Sequence, residues 1–160
     1  MLSSEDKADS DKDLVLATRF AKQGDFEQAI VHLKSILASD PKHEVAVGML
    51  AAIYAQIGLL DRAIDYYQRT LAINPQNVLA RFQLGLTQLT AKRPREALAT
   101  WKPCLDQPGE FLAHFHSGLA LLQLQKPAEA RAMFAHAARR MPKAHALYPQ
   151  LQDLLSRLSH

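Results

Sequence analysis

At 160 residues, with 48% hydrophobic and 22% charged residues, the chain has the make-up of one globular domain rather than a disordered segment. The formal net charge of +3 is unevenly spread: residues 1–80 carry 8 Lys and Arg against 11 Asp and Glu, while residues 81–160 carry 11 against 5, so the two ends should attract different partners or each other. The lone cysteine, Cys104, excludes an intrachain disulfide, and no stretch has the apolar core of a signal peptide or the ~18 apolar residues of a membrane span, which points to the cytoplasm.

The stretch from Met1 to Asp13 is rich in Ser, Asp and Lys, and residues 1–9 read as a disordered tail. From Ser10 onward the sequence repeats itself. Ala29, Ala63 and Ala97 stand 34 residues apart and Ala130 follows after 33; Pro41, Pro75, Pro108 and Pro142 keep the same step, with one residue missing between Trp101 and Pro108. Four units result, 10–43, 44–77, 78–110 and 111–144. Each has a small residue near its start (Ala17, Ala51, Gly85, Gly118) and a large one in its second half (Leu33, Tyr67, Trp101, Phe134). A small side chain on a first helix lets its neighbour approach closely, and the bulky residue of the second helix fills the volume beside it. Each unit therefore predicts a helical hairpin.

Gly24 and Gly58 end the first helices of units one and two, where a positive φ is convenient. In units three and four Pro94 and Pro127 make the break, at the first-turn position that a helix tolerates. Pro103 falls inside the second helix of unit three and predicts a kink there; with the missing residue and Pro108-Gly109, it predicts a change of pitch between units three and four. After Pro142, Leu147, Leu151, Leu154, Leu155 and Leu158 recur at helical spacing. Residues 145–160 thus read as a helix capping the open end of the stack, with Pro149 restricting where it begins.

Four copies agreeing on length, on the alanine of the second helix and on the closing proline resemble the tetratricopeptide repeat family over about residues 10–144. The resemblance implies an all-α, right-handed superhelical solenoid of four helix-turn-helix repeats plus the C-terminal capping helix, acting as a non-catalytic protein-protein interaction scaffold. Some positions depart from the family pattern. Asp13, Arg81 and His114 stand where it favours a large apolar residue, Ser117 replaces a leucine and Gln88 an aromatic.

In this family the first helices line a concave surface that holds peptides. The corresponding residues of unit three are Leu79, Phe82, Leu86 and Leu89, and of unit four Leu112, Phe115, Leu119 and Leu122, spaced by three or four along their helices and joined by His116. Full burial of a Leu or Phe is worth roughly 1.5 to 3 kcal/mol, so eight of them half in water would forfeit something on the order of 10 kcal/mol against a domain stability of about 5 to 15. Something should cover them: an apolar partner segment, helical or extended, or else the C-terminal helix or a second copy of the chain. Units one and two place Asp11, Leu14, Thr18, Lys22, Val45, Gly48, Ala52 and Gln56 at the same positions, which predicts shallower contacts toward the N-terminus.

Leu14, Thr18, Gly48, Ala52, Phe82 and Leu86 are not the clamp of lysine, arginine and asparagine that grips a chaperone's acidic tail. Val15, Met49, Gln83 and His116 are not the asparagine ladder of the glycosyltransferase-linked arrays. A small cytosolic chaperone of the type III secretion kind matches in size and in its apolar groove. His114 and His116 lie two apart on one helix, point away from each other and cannot share a metal ion, and Cys104 reads as a packed thiol facing the hairpin core. The sequence carries no phosphate loop and no catalytic trio, so neither an enzymatic activity, a cofactor nor a metal is expected. Basic clusters at Lys92, Arg93 and Arg95 and at Arg139, Arg140 and Lys143 make nucleic acid the competing partner, but both sit at helix ends without interleaved aromatics.

Overall fold

A computed structural model of the protein describes residues 4–107 and 110–159. Among them the regular elements are α1 (Ser4–Lys22), α2 (Phe26–Ser39), α3 (Glu44–Gln56), α4 (Leu60–Ile73), α5 (Val78–Thr90), α6 (Pro94–Trp101), a short 3-10 turn (Lys102–Cys104), α7 (Phe111–Gln123), α8 (Pro127–Arg140) and α9 (Tyr148–Arg157). The all-α expectation holds, and the chain divides into two compact units, Met1–Gln83 and Leu84–His160.

In the first unit α1 pairs with α2, α2 packs on α3, and α3 pairs with α4. Leu33, Ile36, Val47 and Leu50 are sealed from solvent, and the small residues Ala17 and Ala51 are buried with the large Leu33 and Tyr67 that the repeat sets beside them. The turns are built by polar side chains. The Asp25 carboxylate caps α2 by accepting from Gln28 N at 3.1 Å, and His43 Nδ1 does the same for α3 by accepting from Ala46 N at 3.2 Å. Asp40 accepts from Lys42 N at 3.2 Å and Asn74 from Gln76 N at 3.0 Å; each residue precedes a repeat proline, so the same Asx turn closes both hairpins. Glu44 Oε1 accepts from Asn74 Nδ2 at 2.9 Å and from Asn77 Nδ2 at 2.8 Å.

The tail expected over residues 1–9 is helical from Ser4 onward, and residues 1–3 lie outside the described ones. Its acidic composition, read as a mark of disorder, places Glu5 and Asp6 in the first turn of α1, where negative charge offsets the helix dipole.

In the second unit the interlock of small and large residues is at its tightest. A Cβ added to Gly85 would run into the Trp101 ring, and one added to Gly118 into the Phe134 ring, so both aromatics lie against bare backbone and are fully buried. The interruption expected at Pro103 takes the form of an early stop: α6 has 8 residues where α8 has 14, and the chain runs on as the 3-10 turn containing Pro103, which lacks the N–H that α6 would have used to continue. Pro108 and Gly109 lie outside the described residues. The closing helix begins at Tyr148, three residues later than the leucine pattern implied, with Pro149 in its first turn. Leu151 is fully buried in a cluster with Phe115, Phe134 and Met141, and Leu147, Leu154, Leu155 and Leu158 pack around it.

Gly24 and Gly58 have φ of +79° and +81°, as expected, but Lys92 and Gln125, at the same repeat offset, also have positive φ, +61° and +58°. A side chain in this region costs roughly 1–2 kcal/mol. Lys92→Gly and Gln125→Gly should therefore each raise the urea unfolding free energy by about 1 kcal/mol, whereas Gly118→Ala should lower it by about 1–3 kcal/mol by forcing the Phe134 ring aside.

Candidate functional site

The nine residues expected to line the groove fall into three groups. In the first unit Leu79 is 69% exposed, beside the exposed Val78 on the first turn of α5, while Phe82 is half-buried. In the second unit Leu86, Leu112, His116, Leu119 and Leu122 are half-buried. Phe115 and Leu89, however, are only 1% and 9% exposed, so neither is an open anchor. The cause is the pair of glycines. Phe115 lies one turn before Gly118 and on the same face, so the helix that admits Phe134 also draws Phe115 inward, and the two rings meet with centroids 5.8 Å apart. Leu89, one turn after Gly85, shares the face that meets Trp101. Leu119 and Leu122 rest on this cluster with part of their surface outside it.

His116 sits among aromatics, its ring 5.9 Å from that of Trp101 and 5.2 Å from that of Phe115. Burial disfavours its charged form and pushes its pKa down to about 4. His114 turns elsewhere: its Nδ1 lies 3.0 Å from the Glu110 carbonyl oxygen, to which it donates, and its ring stacks on His136 of α8 at 5.4 Å. Among the described residues no three His, Cys, Asp or Glu side chains gather as a metal site. Cys104 is buried in the 3-10 turn, and no described helix is long and apolar enough to cross a membrane.

Most polar departures from the repeat pattern have found partners. Gln88 Oε1 accepts from Thr100 Oγ1 at 2.7 Å, and the Arg81 guanidinium donates to the Pro75 carbonyl at 2.9 Å. Asp13 lies 2.8 Å from His32 Nδ1, and the His32 ring stacks on Phe20; burial would raise the Asp13 carboxyl, but hydrogen bonds from His32 and Ser35 and the histidine's charge hold it below its ordinary value. Ser117 Oγ, fully buried, has no partner among the described residues.

By its sequence α1 is a shallow, polar part of the surface. It borders an opening of about 560 Å³ lined by Leu14, Val15, Thr18, Arg19, Lys22 and Gln23. The signal was present in the exposed Val15, followed by two cations at helical spacing. A smaller opening of about 310 Å³ lies between Arg95, Leu98, Leu124 and Lys126 in the second unit.

Two family models described as tetratricopeptide repeat match residues 20–70 and 82–145. No curated protein matches the chain in sequence. Among solved structures, a MamA protein superposes with a TM-score of 0.81 at 17% identity, covering 94% of this chain and 86% of that one. A pilF structure from Pseudomonas aeruginosa gives 0.77 at 23% identity, with 97% and 69% covered. An O-GlcNAc transferase mutant from Thermobaculum terrenum gives 0.71 at 20% identity, where 87% of this chain spans 27% of that one. At these identities the likeness is one of fold.

The His116 imidazole is held neutral in the fold, with a pKa of about 4 against about 6.5 for a free histidine. The unfolded chain therefore takes up the proton first as pH falls. This group's contribution is fully present above about pH 6.5 and is lost progressively toward pH 4, by on the order of 3 kcal/mol at most. Urea unfolding at stepped pH should show a shallower loss between those limits for His116→Phe than for the wild type.

Proposed function

The chain belongs to the tetratricopeptide repeat family, and we propose that it is a non-catalytic scaffold that holds an apolar segment of a partner protein against the outer face of α7. The observation that carries this reading is the division of that helix. Ala113, His114, Phe115, Ser117, Gly118, Ala120 and Leu121 are buried, while Leu112, Leu119 and Leu122, which share a face, remain partly in water. A leucine gains roughly 1.5 to 3 kcal/mol on full burial, so a partner that completes the burial of three gains a few kcal/mol from them alone. Leu86, half-buried on α5, offers the same chemistry, as do Leu79 and Phe82 of the first unit. Phe115 supports the surface from beneath and does not touch the partner.

The partner segment is helical or extended and presents aliphatic side chains at matching intervals. A cytoplasmic holder that shields such a segment until it assembles is the finer form of this reading.

Leu112→Glu combined with Leu122→Glu places charge on this face without touching Phe115 or Gly118. Affinity capture followed by mass spectrometry should show the partner reduced at least about tenfold with the double variant, with an unchanged circular dichroism spectrum. Capture by the wild type should persist between about 50 and 200 mM salt, where phosphate-dominated binding would collapse. If the double variant recovers the same proteins in the same amounts, the assignment to α7 is wrong.

A further inference from the structure

At the start of each hairpin's second helix the chain reverses a charge between its two units. These helices begin at Phe26, Leu60, Pro94 and Pro127. The residue before each is Asp25, Leu59, Arg93 and Lys126, and the residue after is Glu27, Asp61, Arg95 and Ala128. Carboxylates suit these places because a helix dipole is positive at its start, and Asp25 caps α2. Cations do not. Arg93 and Lys126 make no side-chain capping bond, and Arg95 stands in the first turn of α6 against the dipole. The dipole accounts for Arg139 and Arg140 in the last turn of α8, but not for these.

Two of the reversed charges meet at one cavity. The opening of about 310 Å³ in the second unit is lined by Arg95 from α6 and Lys126 from the turn before α8; Leu98 and Leu124 complete its lining, and no carboxylate does. Both cations are exposed and both leucines half-buried. Leu98 also packs on the core cluster, which fixes that part of the lining. Arg95 forms no ion pair among the described residues. Lys126 Nζ lies 2.9 Å from Glu129 Oε1, but with side chains 50% and 59% exposed the pair is screened by solvent and readily exchanged.

We infer that this cavity binds a phosphate monoester with a short aliphatic body, its phosphate held between Arg95 and Lys126 and its body against Leu98 and Leu124. A phosphate monoester carries close to two negative charges at neutral pH, so it answers both cations. Bare phosphate would leave the leucines uncovered. Single-stranded nucleic acid is gripped by a run of cations with stacking aromatics, and no aromatic lines the cavity. A free ester and the headgroup of an acidic lipid share this chemistry, and the test separates them. Neither Leu112 nor Leu122 lines the cavity, so it stands independently of the α7 surface.

Hexyl phosphate, titrated into the isotope-labelled full chain, should shift the amide signals of Arg95, Leu98, Leu124 and Lys126 and bind about tenfold or more tightly than inorganic phosphate or hexanol. Arg95→Glu, which restores the charge found at Glu27 and Asp61, should cost about tenfold or more in affinity while the thermal midpoint of the free chain stays at or above that of the wild type, because a carboxylate suits the first turn. Arg139→Glu, at the other basic cluster, should bind like the wild type. Vesicles of phosphatidylcholine with about 20% phosphatidic acid identify the source. Co-sedimentation of the wild type but not of Arg95→Glu upholds the inference with a lipid headgroup as ligand, and binding of hexyl phosphate without co-sedimentation upholds it with a free ester. Hexyl phosphate that binds no more tightly than inorganic phosphate, an Arg95→Glu variant that binds like the wild type, or an equal loss in Arg139→Glu overturns it. So does a DNA duplex that displaces hexyl phosphate and is weakened by both charge reversals, since the surface then holds a polymer's backbone.

Discussion

In the second unit, how closely two helices approach is set by side chains that are absent. With Gly85 beneath Trp101 and Gly118 beneath Phe134, the ring of one helix lies on the backbone of the other, and the distance between the helices is fixed by the thickness of an aromatic ring. Such a contact tolerates no added methyl group, because the interior is already at crystal-like density. Phe115 joins Phe134, Leu151 of the closing helix seals the same cluster, and Leu119 and Leu122 are left at its edge. The first unit uses the same register with less extreme sizes, setting Ala17 and Ala51 against Leu33 and Tyr67, all of them buried. Surface available to a partner is thus what remains after this packing is satisfied.

The hairpins were legible because two kinds of residue mark them independently of context. Alanines recur where helices must approach, and prolines recur where the chain must leave a helix, and each acts through its own backbone chemistry. The reading failed where a neighbour decides. Spacing along α7 groups Phe115 with Leu112, Leu119 and Leu122, but periodicity locates a face and not the part of it that an adjoining helix covers. Gly118 held that information, since a missing side chain admits the partner ring and draws in whatever flanks it. The left-handed turn was visible only where glycine occupies it. Hairpin geometry imposes the same dihedral at Lys92 and Gln125, whose side chains give no sign of the cost. Composition misled at the N-terminus, because acidic residues that argue against a core also suit the start of a helix.

Polar residues at positions the repeat pattern reserves for apolar ones have mostly been answered by local partners. Asp13 meets His32, Gln88 meets Thr100, Arg81 meets a backbone carbonyl, and His114 stacks on His136. Each exchange keeps the hairpin while replacing dispersion contacts with polar or ring contacts, and the Asp13–His32 pair depends on protonation in a way that a leucine does not. Ser117 stands apart, because its hydroxyl is buried with no partner among the described residues; a buried donor left unmade costs more than an apolar atom in its place.

The clasp between Glu44 and the two asparagines joins the opening residue of the second repeat to the turn that follows its last helix. A stretch whose ends meet at one carboxylate is topologically a closed ring. Insertion and permutation are tolerated where chain ends lie close together, which makes this hairpin the natural point for lengthening the array.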